Sequence, residues 1–187
     1  MPVSFAITYS IELSMNVYLA KALPAALLVG LTAAAPLPTK RADADFLTPL
    51  AGRWTGGGDV LLRTNRSPLK VDCDIEVAAE EPSFTLEGEC GALFIKRPIG
   101  VTLEREGERY SGVYTGSRSG PADLAGTRDG DSISLTVTWA REVNGDVTAA
   151  MKLVKESDDS LRLLTEDLDP ETGETVVTSD IALARAE

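Results

Sequence analysis

After Asp45, apolar and polar residues alternate with a period of two in one segment after another. Val71, Cys73, Ile75 and Val77 are interleaved with Asp72, Asp74 and Glu76. Ile133, Leu135, Val137 and Trp139 alternate in the same way with Ser132, Ser134, Thr136 and Thr138. Val147, Ala149, Met151 and Leu153 continue the pattern, as do Leu161 and Leu163, and Val177, Ile181 and Leu183 share one face of the last segment. Period two is the signature of strands with one buried and one solvated face. Turn signals separate the segments, among them Asn65 to Pro68, Glu80 to Pro82, Glu106-Gly107-Glu108, Asp129-Gly130-Asp131, Asn144-Gly145-Asp146, Ser157-Asp158-Asp159 and Asp169 to Gly173. Asn-Gly and Asp-Gly tolerate the positive φ that tight hairpins demand. The pattern predicts an all-β fold of about eight to ten antiparallel strands with no long helix. Successive hairpins without a crossover favour an up-and-down barrel, with a Greek-key sandwich as the alternative closure.

One hairpin can be read to the residue. Phe84, Leu86, Gly88 and Cys90 share an apolar phase, and folding this segment about Glu80-Glu81-Pro82 sets Val77 opposite Leu86, Ile75 opposite Gly88, and Cys73 opposite Cys90. Hydrophobic phase and sulfur pairing thus agree on a single register, which predicts a Cys73–Cys90 disulfide. Two free buried thiols or a two-cysteine metal site are the alternatives.

The N-terminal region reads as an export leader. Lys21 precedes an uncharged run from Ala22 to Ala35, too short for a spanning helix, and Ala33 and Ala35 satisfy an A-x-A cleavage pattern. A second such site lies at Ala42 and Ala44. Met1 to Ser14 carries Glu12 and no base, so translation from Met15 is a further expectation. The expected organisation is a signal peptide over 1–35, a flexible arm over 36–45 and one domain over 46–187, in the size range of single domains. Periplasmic or secreted localisation follows, and oxidising compartments favour the disulfide.

Composition removes several chemistries. The 187 residues contain no histidine, which excludes Ser-His-Asp and Cys-His nucleophiles and histidine-ligated haem. A net charge of −11 argues against nucleic acid or an anionic membrane surface as the main partner. The carboxylate run Asp167, Asp169, Glu171, Glu174 lacks the spacing of a calcium loop: counted from Asp167, glycine stands seventh and threonine twelfth. It reads as a solvated turn. Gly56-Gly57-Gly58 is not followed by a helix and so is no phosphate loop; it reads as a sharp bend of the first strand. Lys96 and Arg97-Pro98 interrupt an apolar stretch from Leu93 to Leu103, where a bulge or an edge accommodates the proline. No local motif assembles a catalytic set, metal site or cofactor site, so the expectation is a protein that is not an enzyme.

Phe46-Leu47-Thr48-Pro49-Leu50-Ala51-Gly52-Arg53-Trp54 opens the body, and Ile181-Ala182-Leu183-Ala184-Arg185 nearly closes it. A Gly-x-Trp at the start of the first strand resembles the calycin superfamily of lipocalins and their relatives. The resemblance implies that Trp54 plugs one end of a barrel and that Arg185 lies across its ring. A lipocalin-type middle motif and a helix before the last strand are missing from this chain. The pattern also resembles small exported proteins of Gram-negative bacteria, and small secreted metalloprotease inhibitors with one disulfide.

The expected function is to bind a small apolar or amphipathic ligand, or to serve an accessory role at the cell envelope. Tyr110, Tyr114, Ile133, Leu135, Val137 and Trp139 are the expected lining; Tyr110 and Tyr114 share a phase with Gly112 and Gly116, which leaves gaps beside each ring. Filled core is the other reading of the same residues, and they line a ligand site only if the lumen is open. The alternative partner is a protein, engaged through the Pro36–Thr48 arm in the manner of a protease inhibitor. Neither nucleic acid nor a stable membrane span after processing is expected.

Overall fold

A computed structural model describes residues 45–187. The expected signal peptide, 1–35, and all but the last residue of the expected arm lie outside these described residues. A 3₁₀ turn, Thr48–Leu50, leads into ten strands: β1 Gly52–Val60, β2 Leu69–Glu80, β3 Ser83–Ala92, β4 Ile95–Glu106, β5 Arg109–Thr115, β6 Ala122–Asp129, β7 Ser132–Val143, β8 Asp146–Ser157, β9 Ser160–Leu168 and β10 Thr175–Arg185. Each strand pairs antiparallel with its sequence neighbours, and β1 pairs with β10, so the sheet closes into an up-and-down barrel. Closure leaves no sheet edge to be covered, and the sandwich alternative does not form.

The register derived for β2 and β3 is the one adopted: Val77 faces Leu86, Ile75 faces Gly88 and Cys73 faces Cys90. The two cysteines form a disulfide with their Cα atoms 4.1 Å apart. Alternation sorts side chains as the sequence predicts, with Val71, Cys73, Ile75 and Val77 of β2 buried and their acidic neighbours exposed.

In a meander, even-numbered connections gather at one end and odd-numbered connections at the other. The end where β1 begins is sealed. Phe46, Leu47, Leu50 and Trp54 are buried there against the inner wall. The Asp45 carboxylate accepts a hydrogen bond from the Thr48 amide, and the Thr48 side chain together with this amide holds its carboxyl below the usual range. Trp54 Nε1 donates to the Leu50 carbonyl at 2.9 Å, which ties the 3₁₀ turn to the first strand. Two cations cap the plug: the Arg185 guanidinium lies 4.3 Å from the Trp54 ring centroid and that of Arg128 lies 4.6 Å from Phe46.

Gly56, Gly57 and Gly58 let β1 run tightly between its neighbours. A Cβ on Gly56 would meet the Ala182 carbonyl oxygen, one on Gly57 that of Val71, and one on Gly58 that of Asp180. Gly57→Ala is expected to lower the unfolding free energy by about 1–3 kcal/mol, as overpacking does; urea denaturation measures it. An unchanged midpoint would show that the strands spread at no cost.

Pro98 finds its edge inside a closed barrel. β4 pairs with β3 from Ile95 onward but with β5 only from Gly100, so residues 95–99 project beyond β5. The missing N–H therefore breaks no ladder bond on that side. The apolar stretch from Leu93 is not one continuous strand: Leu93 and Phe94 form the β3–β4 turn, with Leu93 at φ 55° and Phe94 fully exposed.

Candidate functional site

The lumen divides into a filled half and an open half. Near the plug, Ile75, Phe84, Leu103, Tyr110, Leu124, Ile133 and Leu161 are almost fully buried and fill the interior. Toward the other end the barrel encloses a cavity of about 1100 Å³ that opens at the mouth. Its wall is built from the inward positions of the strands, including Val60, Val71, Leu86, Cys90, Ile99, Val101, Tyr114, Trp139, Met151, Leu163 and Ile181. Medium-sized aliphatic side chains dominate this wall, and the volume lies just above the range of small-molecule sites, roughly 300–1,000 Å³.

Of the six residues expected to line a cavity, the structure brings Tyr114 and Trp139 together there. Their rings meet edge to face, with centroids 6.1 Å apart and planes at 73°. Gly116 supplies the gap beside Tyr114, since a Cβ there would stand 2.9 Å from the Tyr114 hydroxyl. Tyr110, Ile133 and Val137 are buried in the filled half and do not border the cavity. Leu135 borders a shallower depression of about 440 Å³ beside Gly126, together with the outward positions Ser134, Thr136 and Lys152. The distinction is one of depth. Tyr110 follows the β4–β5 turn and Ile133 the β6–β7 turn, both at the plugged end, whereas Tyr114 and Trp139 lie further along the same strands. Trp54 carries the signal that locates this depth, because it marks which end is sealed.

Among the polar groups of the lining, two belong to aromatic side chains of the wall, Tyr114 and Trp139. Burial pushes the Tyr114 phenol above its usual range, so it stays neutral and can donate or accept a hydrogen bond at ordinary pH. The Trp139 indole Nε1–H is buried and has no hydrogen-bond partner among the described residues. An unsatisfied buried donor costs about 1–3 kcal/mol.

The mouth carries charge that sequence reading did not assemble. Arg63, Arg97, Arg118 and Arg141 line it, and none of them forms an ion pair among the described residues. Arg141 donates from Nε to the Ser119 carbonyl at 3.3 Å. The carboxylates on the same lining are Glu142 and Asp167.

Asp167 and Asp169 correct the expectation of a solvated turn, being 4% and 9% exposed. Asp167 accepts hydrogen bonds from Asn144 Nδ2 and the Leu168 amide, while burial pushes its carboxyl above the usual range. Asp169 Oδ1 accepts from the amides of Glu171 and Thr172, which holds its carboxyl low, and the Asp169 carbonyl accepts from Gly173, whose φ is 72°. Both side chains thus organise the β9–β10 connection.

The disulfide fits an exported protein; among the described residues no helix is long and apolar enough to cross a membrane. No protein-family model matches the chain, and no curated protein sequence matches it. Its fold is similar to that in the crystal structure of Rv2717c from M. tuberculosis, with a TM-score of 0.55 and 19% identity over 75% of this chain and 94% of that one. At that identity the likeness is one of fold: the chain is a ten-stranded antiparallel barrel.

Proposed function

We propose that this protein is an exported, calycin-like binding barrel that holds a small amphipathic molecule in the open half of its lumen, without catalysing a reaction. The observation that carries this reading is the cavity of about 1100 Å³ with an apolar wall and an indole N–H that has no partner among the described residues. An apolar body would displace water from the aliphatic wall. A polar atom on the ligand would satisfy Trp139 or Tyr114, and an anionic group would reside nearest Arg63, Arg97, Arg118 and Arg141 at the mouth. Convergence of a few polar groups on an apolar pocket is the usual basis of orientation and specificity in such sites.

The test pairs native mass spectrometry of the purified protein with titration of anilinonaphthalene sulfonate, an apolar anion. A reproducible small-molecule adduct, or saturable probe uptake at one site, is expected. Tyr114→Ala should weaken probe binding about tenfold or more while changing stability little, because its ring borders empty space. Tyr110→Ala should do the reverse, costing about 3–5 kcal/mol of stability as a buried aromatic truncation. A bare mass together with no probe uptake overturns the proposal, as does the opposite ranking of the two tyrosines.

A further inference from the structure

Charge and apolar exposure are sorted around the mouth in a way that no part of the cavity reading requires. Three neighbouring segments of the rim, 61–68, 92–97 and 116–121, carry Arg63, Arg66, Lys96, Arg97 and Arg118 and no carboxylate. The rest of the rim, 141–146 and 167–174, holds one arginine against six carboxylates. The turns at the plugged end are also rich in carboxylates, with Glu80-Glu81, Glu106, Glu108, Asp129, Asp131 and Asp158-Asp159. A chain of net charge −11 therefore presents one basic sector.

The same sector exposes large apolar side chains. Phe94 is 100% exposed, Leu93 93%, Ile95 71% and Leu62 60%. They sit at the tip of the β3–β4 hairpin, which projects past β5, and on the adjacent β1–β2 connection. Leu93 holds φ 55° at the first position of a two-residue turn, where hairpins place Gly, Asn or Asp. A leucine in that conformation costs backbone energy, and its side chain gains no packing within the fold in return.

We infer that this sector docks onto an anionic lipid bilayer, with Leu93 and Phe94 entering the interface and the five cations meeting the headgroups. Apolar side chains flanked by bases are what such surfaces attract. The acidic turns of the plugged end face away from the bilayer, and screening confines the repulsion from the carboxylates on the rest of the rim to about 8–10 Å at physiological ionic strength. A second copy is a poor occupant, since two-fold pairing would set the basic sectors against each other. Docking here would turn the mouth of the cavity toward the membrane, but the inference stands on the rim alone.

Co-sedimentation with vesicles of equal parts phosphatidylcholine and phosphatidylglycerol tests it, with pure phosphatidylcholine vesicles as the comparison. Binding to the anionic vesicles at low salt, weakening as salt rises, is expected, with little binding to the neutral ones. Neutralising Lys96 and Arg97 to Gln should weaken binding about fivefold per cation. Phe94→Ser should also weaken it while leaving the melting temperature unchanged, because the ring touches solvent only. The inference is overturned if the unmodified protein ignores anionic vesicles, if neither substitution alters binding, or if sedimentation velocity shows self-association that Phe94→Ser abolishes. Probe uptake by the cavity is read separately, so failure of one proposal leaves the other standing.

Discussion

Trp54→Ala is expected to lower the unfolding free energy by about 3–5 kcal/mol. The ring is fully buried, so its removal leaves a void in the sealed end of the barrel. Its loss also frees the Leu50 carbonyl that Nε1 holds, and with it the 3₁₀ turn that places Leu47 and Leu50 in the plug. Arg185 depends on the same ring. Its guanidinium stacks on Trp54, donates from Nη1 to the Ala51 carbonyl and from Nη2 to the Pro49 carbonyl, both at 2.8 Å, and reaches the Asp158 carbonyl. One side chain near the end of the last strand thereby fastens the first strand's entry and the β8–β9 turn. Arg185→Met keeps the stem but loses these bonds, with an expected cost of about 2 kcal/mol. A double-mutant cycle by urea denaturation should return a coupling of about 0.5–2 kcal/mol for the stacked pair. A cost below about 1 kcal/mol for Trp54→Ala would show that the plug does not hold the barrel together.

Opening the Cys73–Cys90 bridge is expected to cost about 3 kcal/mol in the chain-entropy model. For a domain of this size that lowers the melting temperature by roughly 6–12 °C. The fold itself should survive. Val77 against Leu86 and Ile75 against Gly88 specify the same register without the sulfurs, and the buried phase of β2 forbids a one-residue slip. Thermal melting of the Cys73→Ala, Cys90→Ala protein, beside the parent with and without dithiothreitol, measures the effect. Coincident melting curves would mean that the bridge contributes nothing to stability.

The two candidate regions differ in how far they were legible. Alternation, with the glycine gaps beside the tyrosines, selects Tyr114 and Trp139 but equally Tyr110, Ile133, Leu135 and Val137, because a period of two reports the face of a strand and is silent on distance from the plug. The hairpin tip was not legible as a turn. Turns are marked by Gly, Asn, Asp and Pro, and Leu93-Phe94 has none of them, so the apolar run hides the chain reversal. Asp167 and Asp169 look solvated in the sequence because carboxylates usually are; their hydrogen bonds to Asn144 and to neighbouring amides appear only once the connections around the mouth are folded.

By itself the sequence determined the succession of antiparallel hairpins, the inward and outward phases, and the β2–β3 register that predicts the disulfide. These are local or pairwise properties, set by a period of two, by turn chemistry and by residues whose partners lie at matching registers. Only the tertiary structure decided which inward positions face open space and which are filled, and that Arg63, Arg97 and Arg118 share a rim with Leu62, Leu93 and Phe94. Both depend on closure. The ends of ten strands become neighbours only when β1 meets β10, so charge and depth acquire meaning in the ring that their order along the chain does not carry.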